Sequence, residues 1–245
     1  MTQLIQTKEI QYKDSTGQTL IGYLAYPENT SQAPGILVCP EWWGRNDYIE
    51  RRARELAEQG YVALAIDMYG DKKLAVDADT AGKYMMSTFE NPATIVDRAT
   101  AAYQTLVAQN NVNADKVAAI GFCYGGKVAL DLARSGANLK VVATFHANLS
   151  AQQPAQAGKF TAEVLVAHGA DDSMVSLNDV ENFKQEMTAA QVKYSVDIYP
   201  NTKHGFTNPV ADEKAAKYGT DLAYNPESEK QAIAKLYDLL KRTFA

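Results

Sequence analysis

The chain has 245 residues, 46% hydrophobic and 22% charged, a composition that suits a globular protein able to bury a large core. Its formal net charge of -5 at pH 7 argues against nucleic acid or an anionic membrane as a main partner, and no apolar stretch approaches the ~20 residues needed to span a bilayer. Two cysteines without C-x-x-C spacing exclude a disulfide framework, and Met1-Thr2-Gln3-Leu4-Ile5-Gln6 has neither a basic start nor an apolar block; both features predict a reduced, cytoplasmic protein without a secretory leader.

In chain order, residues 10–12 and 20–26 flank the turn-rich Asp14-Ser15-Thr16-Gly17 and read as an antiparallel hairpin. Pro34 opens a buried strand over 35–39, in which Cys39 reads as a small core hydrophobe. The loop Pro40-Glu41-Trp42-Trp43-Gly44 then leads to Asp47, a plausible N-cap for a helix running to about Gln59. Ile49, Ala53, Leu56 and Ala57 fall on one face of that helix. Gly60 stops it, and 61–66 is the next buried strand. Residues 78–86 suggest a helix, whose Met85 and Met86 suit either a cap over a site or ordinary core packing.

An amphipathic helix follows over 95–108, and Asn113-Ala114-Asp115 leads into an apolar run over 117–122. That run stops at Gly121-Phe122-Cys123-Tyr124-Gly125-Gly126, with a helix expected over 127–133. This is the strand–elbow–helix context of the G-x-S-x-G nucleophile motif, with Cys in place of Ser. Gly121 and Gly125 are needed because a Cβ there would collide with the neighbouring strand or helix. The elbow sets the thiol over a helix N-terminus, whose dipole favours the thiolate. The competing reading is a buried cysteine in a Gly-rich turn.

Strands follow at 140–145 and 163–168, a helix at 179–190, a strand at 194–199 and a closing helix at 227–244. Strands alternating with helices of ~10–15 residues imply an α/β fold: a mostly parallel central sheet with helices on both faces and the initial hairpin at one edge. The chain contains no repeats or linkers, so a single domain over 1–245 is expected, with cap or lid segments at 71–91 and 207–226.

In open α/β sheets, catalytic groups gather beyond the carboxyl ends of the strands. There the sequence places Gly169-Ala170-Asp171-Asp172-Ser173 and Pro200-Asn201-Thr202-Lys203-His204-Gly205. Cys123, then an Asp, then His204 is the chain order of an α/β-hydrolase triad. His204 would take the thiol proton, the Asp would hold the imidazole tautomer, and Cys123 would form a thioester. Asp172 is preferred because Gly-x-x-Asp-x-x-Val sets it on the expected turn; Asp171 remains the alternative, or a cap. His146, after a strand end, is a candidate pocket residue, whereas His168 reads as a satisfied core histidine. No two histidines stand at i, i+4 spacing, so no metal is expected.

With these landmarks, together with Asp67-Met68-Tyr69-Gly70 and His204-Gly205-Phe206-Thr207-Asn208-Pro209, the chain resembles the dienelactone hydrolases (carboxymethylenebutenolidases) nearly end to end. The resemblance implies an α/β-hydrolase fold, a Cys123–His204–Asp172 triad, no cofactor and a small ester or lactone as substrate. It gives Glu41 a part in forming the thiolate, against pairing with Arg45 as the alternative. It implies an oxyanion hole from the backbone N–H groups of Trp42 and Tyr124. Trp43, His146, Phe206 and Lys83 are the expected substrate contacts, although one of the two tryptophans suits buried packing equally well. The family's carboxylate-binding arginines are missing: Asn208 stands where one is expected, and no Arg occurs between Arg54 and Arg98. A monomer is expected. A ligand-binding or thiol-sensing protein on the same fold is the alternative function.

Overall fold

The computed structural model describes residues 4–91 and 93–245. Met1 to Gln3, part of the stretch read above for a leader, lie outside the described residues. The elements in order are β1 (Ile5–Lys13), β2 (Thr19–Pro27), β3 (Ala33–Cys39), α1 (Asp47–Glu58), β4 (Val62–Ala65), α2 (Ala78–Glu90), α3 (Ala93–Val107), β5 (Val112–Phe122) and α4 (Tyr124–Arg134). Then come β6 (Val141–Phe145), β7 (Glu163–Gly169), α5 (Leu177–Ala189), β8 (Tyr194–Tyr199), α6 (Ala211–Tyr218) and α7 (Pro226–Phe244).

One eight-stranded sheet runs β1-β2-β4-β3-β5-β6-β7-β8. β1 and β2 form the expected hairpin at one edge, and β2 meets β4 antiparallel. Every pairing from β4 through β3 to β8 is parallel. The inner strands read as unbroken apolar runs because both of their faces are covered. Alternate residues show this directly. Leu37 and Ala119 pack with α3, α4 and α5 residues such as Ile95, Val128 and Phe183. Ile36, Val38 and Ile120 pack with α1 and α7 through Ile49, Leu56, Leu236 and Leu240.

Several boundaries differ from the sequence reading, β1 starting at Ile5, α2 running to Glu90 and α4 starting at Tyr124, and three others have a local reason. Asn46, not Asp47, caps α1, its side chain accepting from the Ile49 N–H at 3.3 Å. β5 starts at Val112, because Val112 and Asn113 pair with β3 before the register shifts at Pro34 and Gly35. α5 begins at Leu177 behind a Ser176–Asp179 capping box. One helix, α6, was not expected at all. Among the described residues no helix is long and apolar enough to cross a membrane.

Candidate active site

β5 ends at Phe122 and α4 begins at Tyr124, so Cys123 carries the whole change of direction. Its backbone sits at φ 53° and ψ -117°, a conformation that costs a residue with a Cβ about 1–3 kcal/mol. The Cys123 N–H donates to the Phe145 carbonyl at 3.0 Å, and the Gly126 N–H donates to the Cys123 carbonyl at 3.1 Å. A Cβ on Gly121 would lie 2.0 Å from the Gly125 carbonyl oxygen, and one on Gly125 would lie 2.2 Å from that of Cys39. The elbow therefore closes only with glycine at both positions. Cys123 is partly exposed and lines a cavity of about 620 Å³, which His204, Trp42 and Tyr124 also line. Cys39 is fully buried, and burial pushes its thiol pKa up.

His204 lies on the loop after β8, and three contacts hold that loop. The N–H of Ala223 donates to the His204 carbonyl at 3.1 Å and that of Asn225 to Phe206 at 3.1 Å, while Arg52 of α1 donates to the Thr207 carbonyl at 2.8 Å. The first two come from the segment between α6 and α7, which straps the loop from outside. The His204 ring is buried, and its Nδ1 lies 2.8 Å from Asp172 Oδ2. The other Asp172 oxygen accepts the N–H groups of Met174 and Val175, both at 2.9 Å.

A carboxylate can only accept, so Nδ1 carries the proton. Nε2 then has no hydrogen-bond partner among the described residues. Burial disfavours the imidazolium, but negative charge on Cys123 and the hydrogen-bonded Asp172 outweigh it and raise the His204 pKa to about 10. Burial likewise opposes the Asp172 charge, yet the bond from His204 holds its carboxyl below the ordinary value. Asp171, the alternative acid, is exposed.

Glu41 is buried in the loop after β3, and burial raises its pKa. Its Oε2 accepts from Asn208 Nδ2 at 2.7 Å. The alternative pairing with Arg45 does not occur, because Arg45 bonds Glu9 and Glu50 instead. The Trp42 carbonyl accepts from the Tyr69 hydroxyl at 2.9 Å, which fixes the Trp42–Trp43 peptide. Among the described residues, no turn, loop or cap hydrogen bond uses the N–H of Trp42 or Tyr124.

Four expected substrate contacts fall elsewhere. Trp43 is 4% exposed and lines a separate cavity, where Lys214 Nζ stands 3.9 Å from its ring centroid. His146 is fully buried, with Nε2 2.8 Å from Thr207 Oγ1 and its ring 5.1 Å from that of His204, so it packs behind the site. Phe206 is fully buried against His146 and Tyr199. Lys83 is exposed on α2 and does not line the cavity; Met85 of the same helix does. His168 is buried as expected, but neither ring nitrogen has a partner among the described residues.

Two polar neighbours are not legible in the sequence. Asn208 stands there only in the place of an arginine, with nothing to mark it as the donor to Glu41. Lys214 carries no signal, since the residues of α6 show no strong apolar stripe.

Comparison with known proteins gives consistent neighbours. The sequence model of the dienelactone hydrolase family matches residues 20–244. A protein of Synechocystis sp. (strain ATCC 27184 / PCC 6803 / Kazusa), provisionally named a carboxymethylenebutenolidase, is 29% identical over 91% of this chain and 91% of its own. A solved structure called m3DLH is 39% identical, with a TM-score of 0.92, and covers 98% of this chain and 99% of its own. A dienelactone hydrolase-like promiscuous phosphotriesterase from metagenomic libraries is 35% identical, with a TM-score of 0.92 and the same coverage.

Proposed function

The chain belongs to the dienelactone hydrolase family and is a hydrolase, and from that premise we propose that it cleaves a small ester or lactone through a Cys123–His204–Asp172 triad. His204 Nε2 takes the thiol proton as Cys123 Sγ attacks the carbonyl carbon. The oxyanion that forms is held by the N–H groups of Trp42 and Tyr124, aided by the N-terminus of α4. Collapse expels the alcohol or opens the ring, with His204 returning the proton to the leaving oxygen. A thioester on Cys123 remains. His204 then takes a proton from water, hydroxide adds to the thioester, and the acid leaves with the thiol restored.

Asp172 keeps the imidazole in the required tautomer and stabilises its charged form. Glu41 is the fourth participant: burial raises its pKa, so its ionised carboxylate is a stronger base than usual and can relay the thiol proton toward His204 when substrate enters. The observation that carries this reading is the 2.8 Å Nδ1–Oδ2 pair beside a cavity that Cys123 also lines, with Nε2 left free. The protein is read as a cytoplasmic monomer that needs no cofactor.

A second reading has one specific support, the 35% identity to the promiscuous phosphotriesterase: the same thiolate would attack the phosphorus of an uncharged triester. Hydrolysis of p-nitrophenyl acetate and simple lactones by wild type and Cys123→Ala tests the proposal. Turnover is expected to vanish in the variant. Equal residual rates would remove the triad mechanism and favour a ligand-binding or thiol-sensing role.

A further inference from the structure

The walls of the cavity over Cys123 carry an uneven charge. Trp42, Met85, Leu149, Val175 and Phe183 make it largely apolar. Apart from His204, its charged lining side chains are Asp179 and Glu186, and among the described residues no Lys or Arg lines it. Both carboxylates come from α5, where Asp179, Asn182, Phe183 and Glu186 stand at i, i+3, i+4 and i+7 and share one face.

The positive groups nearby are committed or lie outside this lining. The α5 N-terminus would attract an anion, but Asp179 occupies it, accepting the Ser176 N–H at 2.8 Å and hydroxyl at 2.7 Å. Arg134, behind the wall, gives Nε and Nη2 to Glu186 at 2.8 Å each, and gives Asp131 and the Leu149 carbonyl bonds of 2.9 and 3.0 Å. Lys127 Nζ donates to the Ser150 carbonyl and pairs with Asp131, both at 2.9 Å. Lys214 has no ion-pair partner among the described residues, but it stands over Trp43 in the separate cavity and not on this lining. Glu186 is thus matched by Arg134, whereas Asp179 has no cation within pairing distance among the described residues. His204, the remaining basic group, is paired with Asp172 at 2.8 Å.

We propose that this site selects uncharged esters and lactones and turns away those with a carboxylate on the acyl part, Asp179 and Glu186 being the specificity-determining residues. The inference rests on the hydrolase reading above and adds the substrate's charge to it. A carboxylate entering this cavity loses hydration, gains no cation and meets the Asp179 charge. An uncharged acyl chain meets none of these penalties and buries apolar surface against Leu149 and Phe183.

The test pairs p-nitrophenyl hexanoate with mono-p-nitrophenyl adipate, which share acyl length and leaving group. At low ionic strength kcat/KM, corrected for the alkaline rates, is expected to favour the hexanoate about tenfold or more. The preference should shrink on adding salt, which screens the exposed Asp179, and in Asp179→Asn. A preference for the adipate, or a ratio unmoved by both salt and Asp179→Asn, overturns the proposal.

Should neither ester turn over, the hydrolase reading has failed, and the charge inference is read separately by alkylating Cys123. The iodoacetate rate relative to iodoacetamide must rise in Asp179→Asn and, for wild type, with salt; no change in either overturns it. The salt series uses only the wild-type chain, so a poorly folding variant does not block the test.

Discussion

Replacing Asp172 by Asn exchanges one carboxylate oxygen for an amide NH₂ at the atom that holds His204. The turn should survive, because the Asn oxygen can still accept the Met174 and Val175 N–H groups that now donate at 2.9 Å. The amide nitrogen then faces His204 Nδ1 at the 2.8 Å position. It can only donate, so Nδ1 must accept and the ring proton moves to Nε2, the nitrogen meant to take the thiol proton. The charge is lost as well. Unit charges about 4 Å apart at an effective dielectric of about 20 attract by about 4 kcal/mol. At 1.36 kcal/mol per pK unit that equals roughly 3 units at most, so the His204 pKa falls from about 10, while the contribution of Cys123 remains.

The same energy, lost from the transition state, predicts a fall in kcat/KM of about 10³. Initial rates on p-nitrophenyl acetate measure the fall, a thermal melt checks folding, and NMR titration of the ring reads the pKa. A folded Asp172→Asn within tenfold of wild type would refute the reasoning. Asp171→Asn is the control and should leave the rate unchanged, because Asp171 is exposed; a large loss there would instead move the acid to Asp171.

Three further outcomes follow from the same geometry. Cys123→Gly abolishes turnover but melts above Cys123→Ala, since glycine relieves the φ 53° strain; at about 2–4 °C per kcal/mol for a chain of this size the gain is a few degrees, and a lower melt for the Gly variant would remove the strain argument. Gly125→Ala puts a Cβ 2.2 Å from the Cys39 carbonyl oxygen, so soluble yield and near-UV circular dichroism should both collapse; wild-type-like melting would show that the elbow can relax.

Glu41→Gln stabilises the fold in a pH-dependent way. Burial raises the folded pKa of Glu41 above its unfolded value. As pH climbs between the two, the unfolded chain has already released a proton that the folded state retains, so stability falls. Gln pays no such penalty, and its melting advantage should be small near pH 4 and grow toward pH 8. A pH-independent difference would contradict the burial argument.

Most of the fold was legible because its signals are local. Apolar runs, glycine stops and 3.6-residue periodicity located every strand and all helices but α6, whose eight polar and small residues show no strong stripe. The elbow was equally local, since Gly121, Cys123 and Gly125 stand within five residues. The order Cys, Asp, His is visible along the chain, and the Gly-x-x-Asp-x-x-Val spacing favours Asp172 while leaving Asp171 open. Asp171 and Asp172 differ only in which way each side of one turn faces, and burial with a bond to His204 distinguishes Asp172.

What the sequence could not determine lies in contacts between distant segments. Glu41 and Asn208 meet across 167 positions, and Lys214 reaches Trp43 only because α6 folds back against the loop following β3. Whether a polar residue at a strand end opens on the cavity or packs behind it is likewise tertiary: His146 and Phe206 pack behind His204, while α5 turns Asp179 and Glu186 toward Cys123. Residue types and spacing establish which chemistry is available. Strand order and sheet twist decide which of those groups face one another, and those depend on the packing of the whole chain.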